Sequence, residues 1–243
     1  MKVYDTIGLM SGTSLDGADV CWAKISRDKR WQYSFVKCAT FPYPIELFDK
    51  LLAVGQLREA EILALDMELA KFFTRCVEKV LGTHRAELIC SHGHTVFHDP
   101  SNGITRQIGS LRVLNELLKT PVVGDFRSAD VALGGQGAPL VPIGDELLFG
   151  DYQSCLNLGG FANISFEHRG RRMAFDICAV NIVLNELARR IDLKYDDGGQ
   201  VARGGAVVLE LFDALNAQSY FSSPPPKSLG REWVESQLMP LIN

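Results

Sequence analysis

The feature that most constrains this chain is residues 7–20, Ile-Gly-Leu-Met-Ser-Gly-Thr-Ser-Leu-Asp-Gly-Ala-Asp-Val. An apolar run over residues 3–10 enters a loop of Ser11, Gly12, Thr13, Ser14, Leu15, Asp16 and Gly17. A second apolar run, residues 18–25, leaves it. The two glycines let the backbone bend tightly and approach a ligand with no Cβ in the way. Between them stand hydroxyls and a carboxylate. Hydroxyls and backbone N–H groups cradle phosphate oxygens, and a carboxylate holds Mg²⁺ directly or through water. The same residues also suit a hairpin whose turn is merely polar. Neither common phosphate loop fits. The loop lacks the lysine of a P-loop, and it leads into the β-type run of residues 19–23 instead of the helix that a dinucleotide fingerprint opens. A nucleotide bound here would sit on a strand–turn–strand.

Around this loop the rest of the chain reads as mixed α/β. Strands are expected over 3–10, 18–25 and 31–41, with a charged turn at 26–30. A helix follows Pro44. A longer one runs from about 58 to 81, where Ile62, Leu65, Leu69, Phe72, Phe73, Cys76, Val77 and Val80 recur every three or four positions and Gly82 supplies a stop. The apolar run 86–90 reads as a buried strand that delivers Ser91-His92-Gly93-His94-Thr95 to its C-terminal end, where ligands gather in open α/β sheets. A helix near 110–119 and a strand over 121–125 bring Asp125 and Arg127 to a similar place.

Residues 133–142 hold too many glycines and prolines for a regular element and read as a crossing between domains 1–132 and 133–243. A helix ending at Phe149 follows. The pattern then restarts, with a strand over 155–158, a Gly159-Gly160 turn, strands over 162–167 and 172–177, and a helix burying Ile182, Val183, Leu184, Leu187 and Ala188. Two copies of strand–turn–strand–strand–helix suggest a duplicated α/β unit. After residue 190 only helices and turns are expected.

Composition excludes several classes. With 243 residues, 47% of them apolar and 22% charged, the chain is an ordinary globular one with ample core. A net charge of −4 gives no reason to expect nucleic acid as a partner. No uncharged apolar run approaches the ~20 residues of a membrane span, and no signal-peptide pattern opens the chain. The six cysteines, at 21, 38, 76, 90, 155 and 178, lie in apolar surroundings without a C-x-x-C pair. They read as buried, reduced thiols of a cytoplasmic protein.

Several residues carry chemistry, each beside a plainer reading. Asp176, at the end of the strand over 172–177, suits either a general base or a helix N-cap. His92, His94 and His98 invite a zinc reading, but no fourth ligand stands at an informative spacing. Asp125 and Arg127 can be a simple surface pair. Gly134, Gly135, Gln136 and Gly137 form either a flexible connection or a hinge, of the kind kinases use to close on substrate. Asp16 and Asp19 are either turn carboxylates or contacts to Mg²⁺.

These motifs together resemble a known family. The 7–20 loop, the Ser91–Thr95 run, Gly124-Asp125-Phe126-Arg127, the run from Gly134 through Pro142, Asn157-Leu158-Gly159-Gly160-Phe161-Ala162-Asn163, Phe175-Asp176 and Lys227-Ser228-Leu229-Gly230-Arg231-Glu232 resemble, in order and spacing, the signatures of the anhydro-N-acetylmuramic acid kinases of peptidoglycan recycling. The resemblance implies the actin-like fold, two ribonuclease-H-like domains with ATP in the cleft between them. It implies ATP and Mg²⁺ as cofactors, an amino-sugar substrate, a homodimer and no membrane.

Residue by residue it implies ATP contacts from Gly12, Thr13, Ser14, Leu15, Asp16, Gly17, Ala18 and Asp19 and from the second turn, Gly159 and Gly160. Asp176 is implied as the base. His92, Thr95, Arg127, Gln136 and Asn181 are implied on the sugar, with Arg127 on its lactyl carboxylate. There are departures. The family usually has Gln at His94 and Thr-Gly-Pro-Gly at 177–180, where this chain has Ile177-Cys178-Ala179-Val180. Its members also continue past residue 243, so the second domain is expected to be incomplete at its C-terminal end. The alternatives are a non-catalytic relative that still binds sugar or phosphate, another sugar kinase of the same fold, and an actin-like filament protein.

Overall fold

The computed structural model describes residues 2–12, 15, 17–99, 102–135, 137, 140–225 and 227–242. Thr13, Ser14, Asp16 and Gln136 lie outside them. The chain divides into two compact units, Met1–Leu140 and Val141–Asn243.

The first unit is built on one sheet. Strands β1 (Val3–Ser11), β2 (Ala18–Arg27) and β3 (Trp31–Phe41) form an antiparallel meander. Ile7 and Leu9 on β1 and Ala18, Val20 and Trp22 on β2 turn one face inward. Helices α1 (Ile45–Leu52) and α2 (Glu59–Leu81) follow, and α2 lays the whole predicted apolar stripe against that face. Each such buried side chain contributes about 1.5–3 kcal/mol. Arg58 and Glu61 cap the start of α2, and Gly82 ends it at φ 59°.

Strand β4 (Leu88–Asp99) lies parallel to β1 and completes the core with Ile89. It departs from expectation by running through the Ser91–Thr95 motif instead of ending before it. The reason is a hairpin. Residues His94–Asp99 pair antiparallel with β5 (Ile104–Ile108), while Ile89–Ser91 pair with β6 (Val122–Gly124), so successive halves of one strand edge are both used. Helix α3 (Leu111–Leu118) lies between β5 and β6, with Ser110 as its N-cap. Helix α4 (Phe126–Ala132) follows β6 and was not expected; it is short and buries none of its residues, so it has no apolar period to read.

The second unit opens with α5 (Val141–Phe149) and an antiparallel sheet of β7 (Ser154–Leu158), β8 (Phe161–His168) and β9 (Arg171–Ala179). Then come α6 (Asn181–Arg189), α7 (Gln200–Gly204), α8 (Leu209–Asn216) and α9 (Ser219–Ser222). Last is a helical stretch, α10 (Arg231–Trp233), a π-helical turn (Val234–Leu238) and α11 (Met239–Ile242). Three antiparallel strands followed by a helix thus occur at the start of the first unit and again in the second. The second core is small, centred on Val183, Val234 and Leu238.

The cysteines correct one expectation. Only Cys76 is buried; Cys38 is exposed and the other four are half-buried. Cys38 lies on β3, at the edge of the sheet and on the face opposite α2, where apolar neighbours in sequence do not produce burial. Among the described residues no helix is long and apolar enough to cross a membrane.

Candidate active site

The Leu15 N–H donates to the Gly12 carbonyl at 3.2 Å, and the Leu15 side chain packs on the core. Gly17 brings the chain back to the sheet, where a Cβ would stand 2.5 Å from the carbonyl oxygen of Phe41. Only glycine passes there. Ala18 faces the core, and exposed Asp19 on the opposite face accepts a hydrogen bond from Thr40 Oγ1 at 2.5 Å.

Register joins this loop to the second motif. Ser11, the last residue of β1, stands beside His94 on parallel β4. Its buried hydroxyl is 2.8 Å from His94 Nδ1 and 2.5 Å from the Tyr43 hydroxyl. Burial, reinforced by nearby His92, pushes His94 down to about 4 from 6.5, so its ring is neutral at physiological pH. The three histidines do not converge as a metal triad. Gly93 at φ 68° breaks the strand's two-residue alternation, which sends His92 and His94 to different partners. Among the described residues no three His, Cys, Asp or Glu side chains form a metal site.

His92 belongs to a chain of polar contacts. Its Nδ1 lies 3.0 Å from the Gly93 carbonyl, which can only accept, so Nδ1 carries the proton. Nε2 is left as the acceptor for Arg127 Nε at 3.2 Å and Nη2 at 3.0 Å. Burial lowers His92, and the Arg127 cation lowers it further. Arg127 Nη1 donates to the Gly137 carbonyl at 2.6 Å, and the Gly137 N–H donates to Asp130 Oδ2 at 2.6 Å. Arg127 therefore turns to His92 and the glycine-rich segment, and exposed Asp125 simply opens α4 at φ 55°. Thr95 accepts from Gln107 Nε2 at 3.4 Å, and Gln107 Oε1 is buried with no partner among the described residues.

In the second unit Asp176 is not a helix cap. Strand β9 continues past it to Ala179, and Val180 occupies the N-cap of α6. Asp176 Oδ2 instead accepts the Leu229 N–H at 2.8 Å. The Asp176 backbone N–H donates to the Lys227 carbonyl at 3.1 Å, and its carbonyl accepts from the Tyr220 hydroxyl at 2.7 Å. A register shift at Ala162/Asn163 leaves Ile177 as an extra residue beside Asp176, a bulge of the sort that re-aims side chains near active sites. Burial raises Asp176 above 3.8 and the Leu229 N–H only partly offsets this. Tyr220, half-buried and close to Asp176, is pushed up to about 12.

The Gly159 and Gly160 carbonyls accept from the N–H groups of Val180, Asn181 and Ile182 at 2.9–3.2 Å, so the turn caps α6. Asn181 Nδ2 reaches the Leu158 carbonyl at 3.4 Å. Among the described residues, a Cβ at Gly159 or Gly160 would meet nothing closer than 3.7 Å. The fold alone does not demand glycine at these two positions.

Comparison with known proteins decides the family. The sequence profile described as anhydro-N-acetylmuramic acid kinase matches residues 4–240. The chain belongs to that family. It is 36% identical over 249 residues to the anhydro-N-acetylmuramic acid kinase of Prochlorococcus marinus (strain MIT 9303), covering 93% of this chain and 65% of that protein. It is 38% identical over 251 residues to the protein of the same name from Burkholderia lata, covering 95% and 65%. With the one from Neisseria meningitidis serogroup C the figures are 38% over 257 residues, 98% and 69%. The chain thus spans about two thirds of the length of the anhydro-N-acetylmuramic acid kinases it matches.

Sequence reasoning named most of these positions but missed their partners. No spacing in the sequence points to the contacts of Ser11, Tyr43, Asp130, Gln107 and Tyr220, or joins Lys227-Ser228-Leu229 to Asp176. Each acts through strand register or a long loop, which no local spacing reveals.

Proposed function

We propose that this chain is the ATP-dependent kinase of 1,6-anhydro-N-acetylmuramic acid, opening the anhydro ring with water and forming the 6-phosphate. The observation that carries the reading is Asp176: a half-buried carboxylate with a raised pKa, fixed through Oδ2 by a backbone N–H. Among the described residues Oδ1 has no donor, which leaves one oxygen to accept a proton. A water that loses its proton to Asp176 attacks the anomeric carbon. The bond from that carbon to the 6-oxygen breaks, the freed 6-oxygen takes the γ-phosphoryl group of ATP as ADP leaves, and Asp176 gives its proton to solvent.

The residues present suit a phosphate-bearing ligand. Gly12 and Gly17 frame a turn with a hydroxyl-rich sequence, and the second turn carries two glycines that the fold does not require. ATP would supply the phosphoryl group, and Asp16 or Asp19 would hold the Mg²⁺ whose charge offsets that of the transferring phosphoryl oxygens. Arg127, its plane set by His92 and Gly137, offers its remaining N–H groups to the lactyl carboxylate. His92, Thr95, Gln136 and Asn181 complete the sugar contacts. Two ribonuclease-H-like units, a homodimer and a cytoplasmic location belong to the same reading.

The test is turnover with ATP, Mg²⁺ and the anhydro sugar, beside Asp176→Asn. The parent is expected to form the sugar 6-phosphate, and the variant to lose about 10²–10⁴ in kcat while melting as the parent does. The acid limb of kcat/KM should lie above the ordinary carboxylate value, since the base works only when ionised. A parent that is protected from heat by the sugar but transfers no phosphate would refute the kinase reading and leave a sugar-binding protein.

A further inference from the structure

Two of the cysteines stand directly opposite each other. In the antiparallel register of β2 and β3, Cys21 faces Cys38, and the Cys38 thiol donates to Cys21 Sγ at 2.9 Å. Opposed residues of antiparallel strands have Cα atoms about 4.5–5.5 Å apart, inside the ~4.4–6.8 Å that a disulfide bridges. The sulfurs can therefore join with the strands left in place. Cys21 alternates with the core residues Val20 and Trp22, which puts the pair on the face away from α2. On β1 the residue directly opposite Cys21 is Gly8, which places no side chain against it. Cys38 is exposed.

We propose that Cys21 and Cys38 are a covalent modification site, a thiol pair that a small disulfide such as oxidised glutathione converts to an intrachain disulfide. Cys38 gives its proton to solvent and attacks one sulfur of the oxidant, forming a mixed disulfide and expelling one thiolate. Cys21 then gives up its proton, attacks the Cys38 sulfur and expels the second. The protein loses two electrons and two protons, and the oxidant leaves as two thiols. Burial and the neighbouring Cys38 push the Cys21 thiol up to about 12, which assigns the opening attack to Cys38. The bridge lies two residues along the strands from the Asp19–Thr40 contact, pinning the strand that leaves the loop.

The experiment is treatment of the whole chain with oxidised glutathione, then thiol counting in denaturant and peptide mapping by mass spectrometry. Titratable thiols should fall from six to four, with one peptide pair joined through Cys21 and Cys38, and dithiothreitol should restore all six. Cys21→Ser should stop at a glutathione adduct on Cys38, and Cys38→Ser should leave Cys21 free. Six thiols surviving the oxidant would overturn the proposal. So would a bridge from Cys38 to Cys90, or to a second chain.

Discussion

His94 shows what a single buried side chain imposes. Its pKa falls to about 4 in the folded chain from 6.5, so below pH 6.5 the unfolded chain binds a proton that the folded one does not. Stability therefore rises with pH across that window and is lost as pH falls through it, by roughly 3 kcal/mol for this group. Denaturant midpoints at pH 7 and pH 4.5 should show the loss, and His94→Gln should flatten it. A variant with the parent's pH dependence would show that another group is responsible. At this scale the sequence was half legible. Gly17 was legible as a position that needs glycine, which the Phe41 carbonyl enforces, but the Ser11–His94 contact joins residues 83 apart and depends on a parallel register.

Elements succeed or fail by whether their signal is local. Helix α2 was readable because its stripe repeats with the helical period over 23 residues. Strand β5 and helix α4 were not, since one is a short polar strand held by its hairpin partner and the other buries nothing. The same contrast orders the expected effects of substitution. Gly17→Ala sets a Cβ against the Phe41 carbonyl and should cost about 1–3 kcal/mol in denaturant melts, with weaker ATP binding by calorimetry. Tyr220→Phe removes only the hydroxyl that meets the Asp176 carbonyl. About 0.5–1.5 kcal/mol of stability should go with it, together with a larger drop in kcat than in ATP affinity. An unchanged kcat would mean that the segment from Tyr220 to Leu229 does not position Asp176.

Across the whole molecule the two units differ in how much they bury. The first has a continuous core from Ile7 to Leu114, whereas Leu156 and Leu158 on β7 are 57% and 60% exposed. Hydrogen exchange should find its slowest amides in β1, β2 and β4, with β7–β9 opening at lower free energy. Equal protection in both sheets would contradict that ranking. The imbalance between their cores was not legible in the sequence, because apolar content alone does not say which side chains find neighbours. One contact also bears on biosynthesis. The donor that fixes Asp176 is Leu229, 53 residues further along the chain. A ribosome completes the strand carrying the carboxylate well before it emits the segment that holds it, so the nascent protein passes through an interval in which the carboxylate is made but not yet set. Ribosome-stalled chains ending before Leu229 should accordingly be catalytically silent.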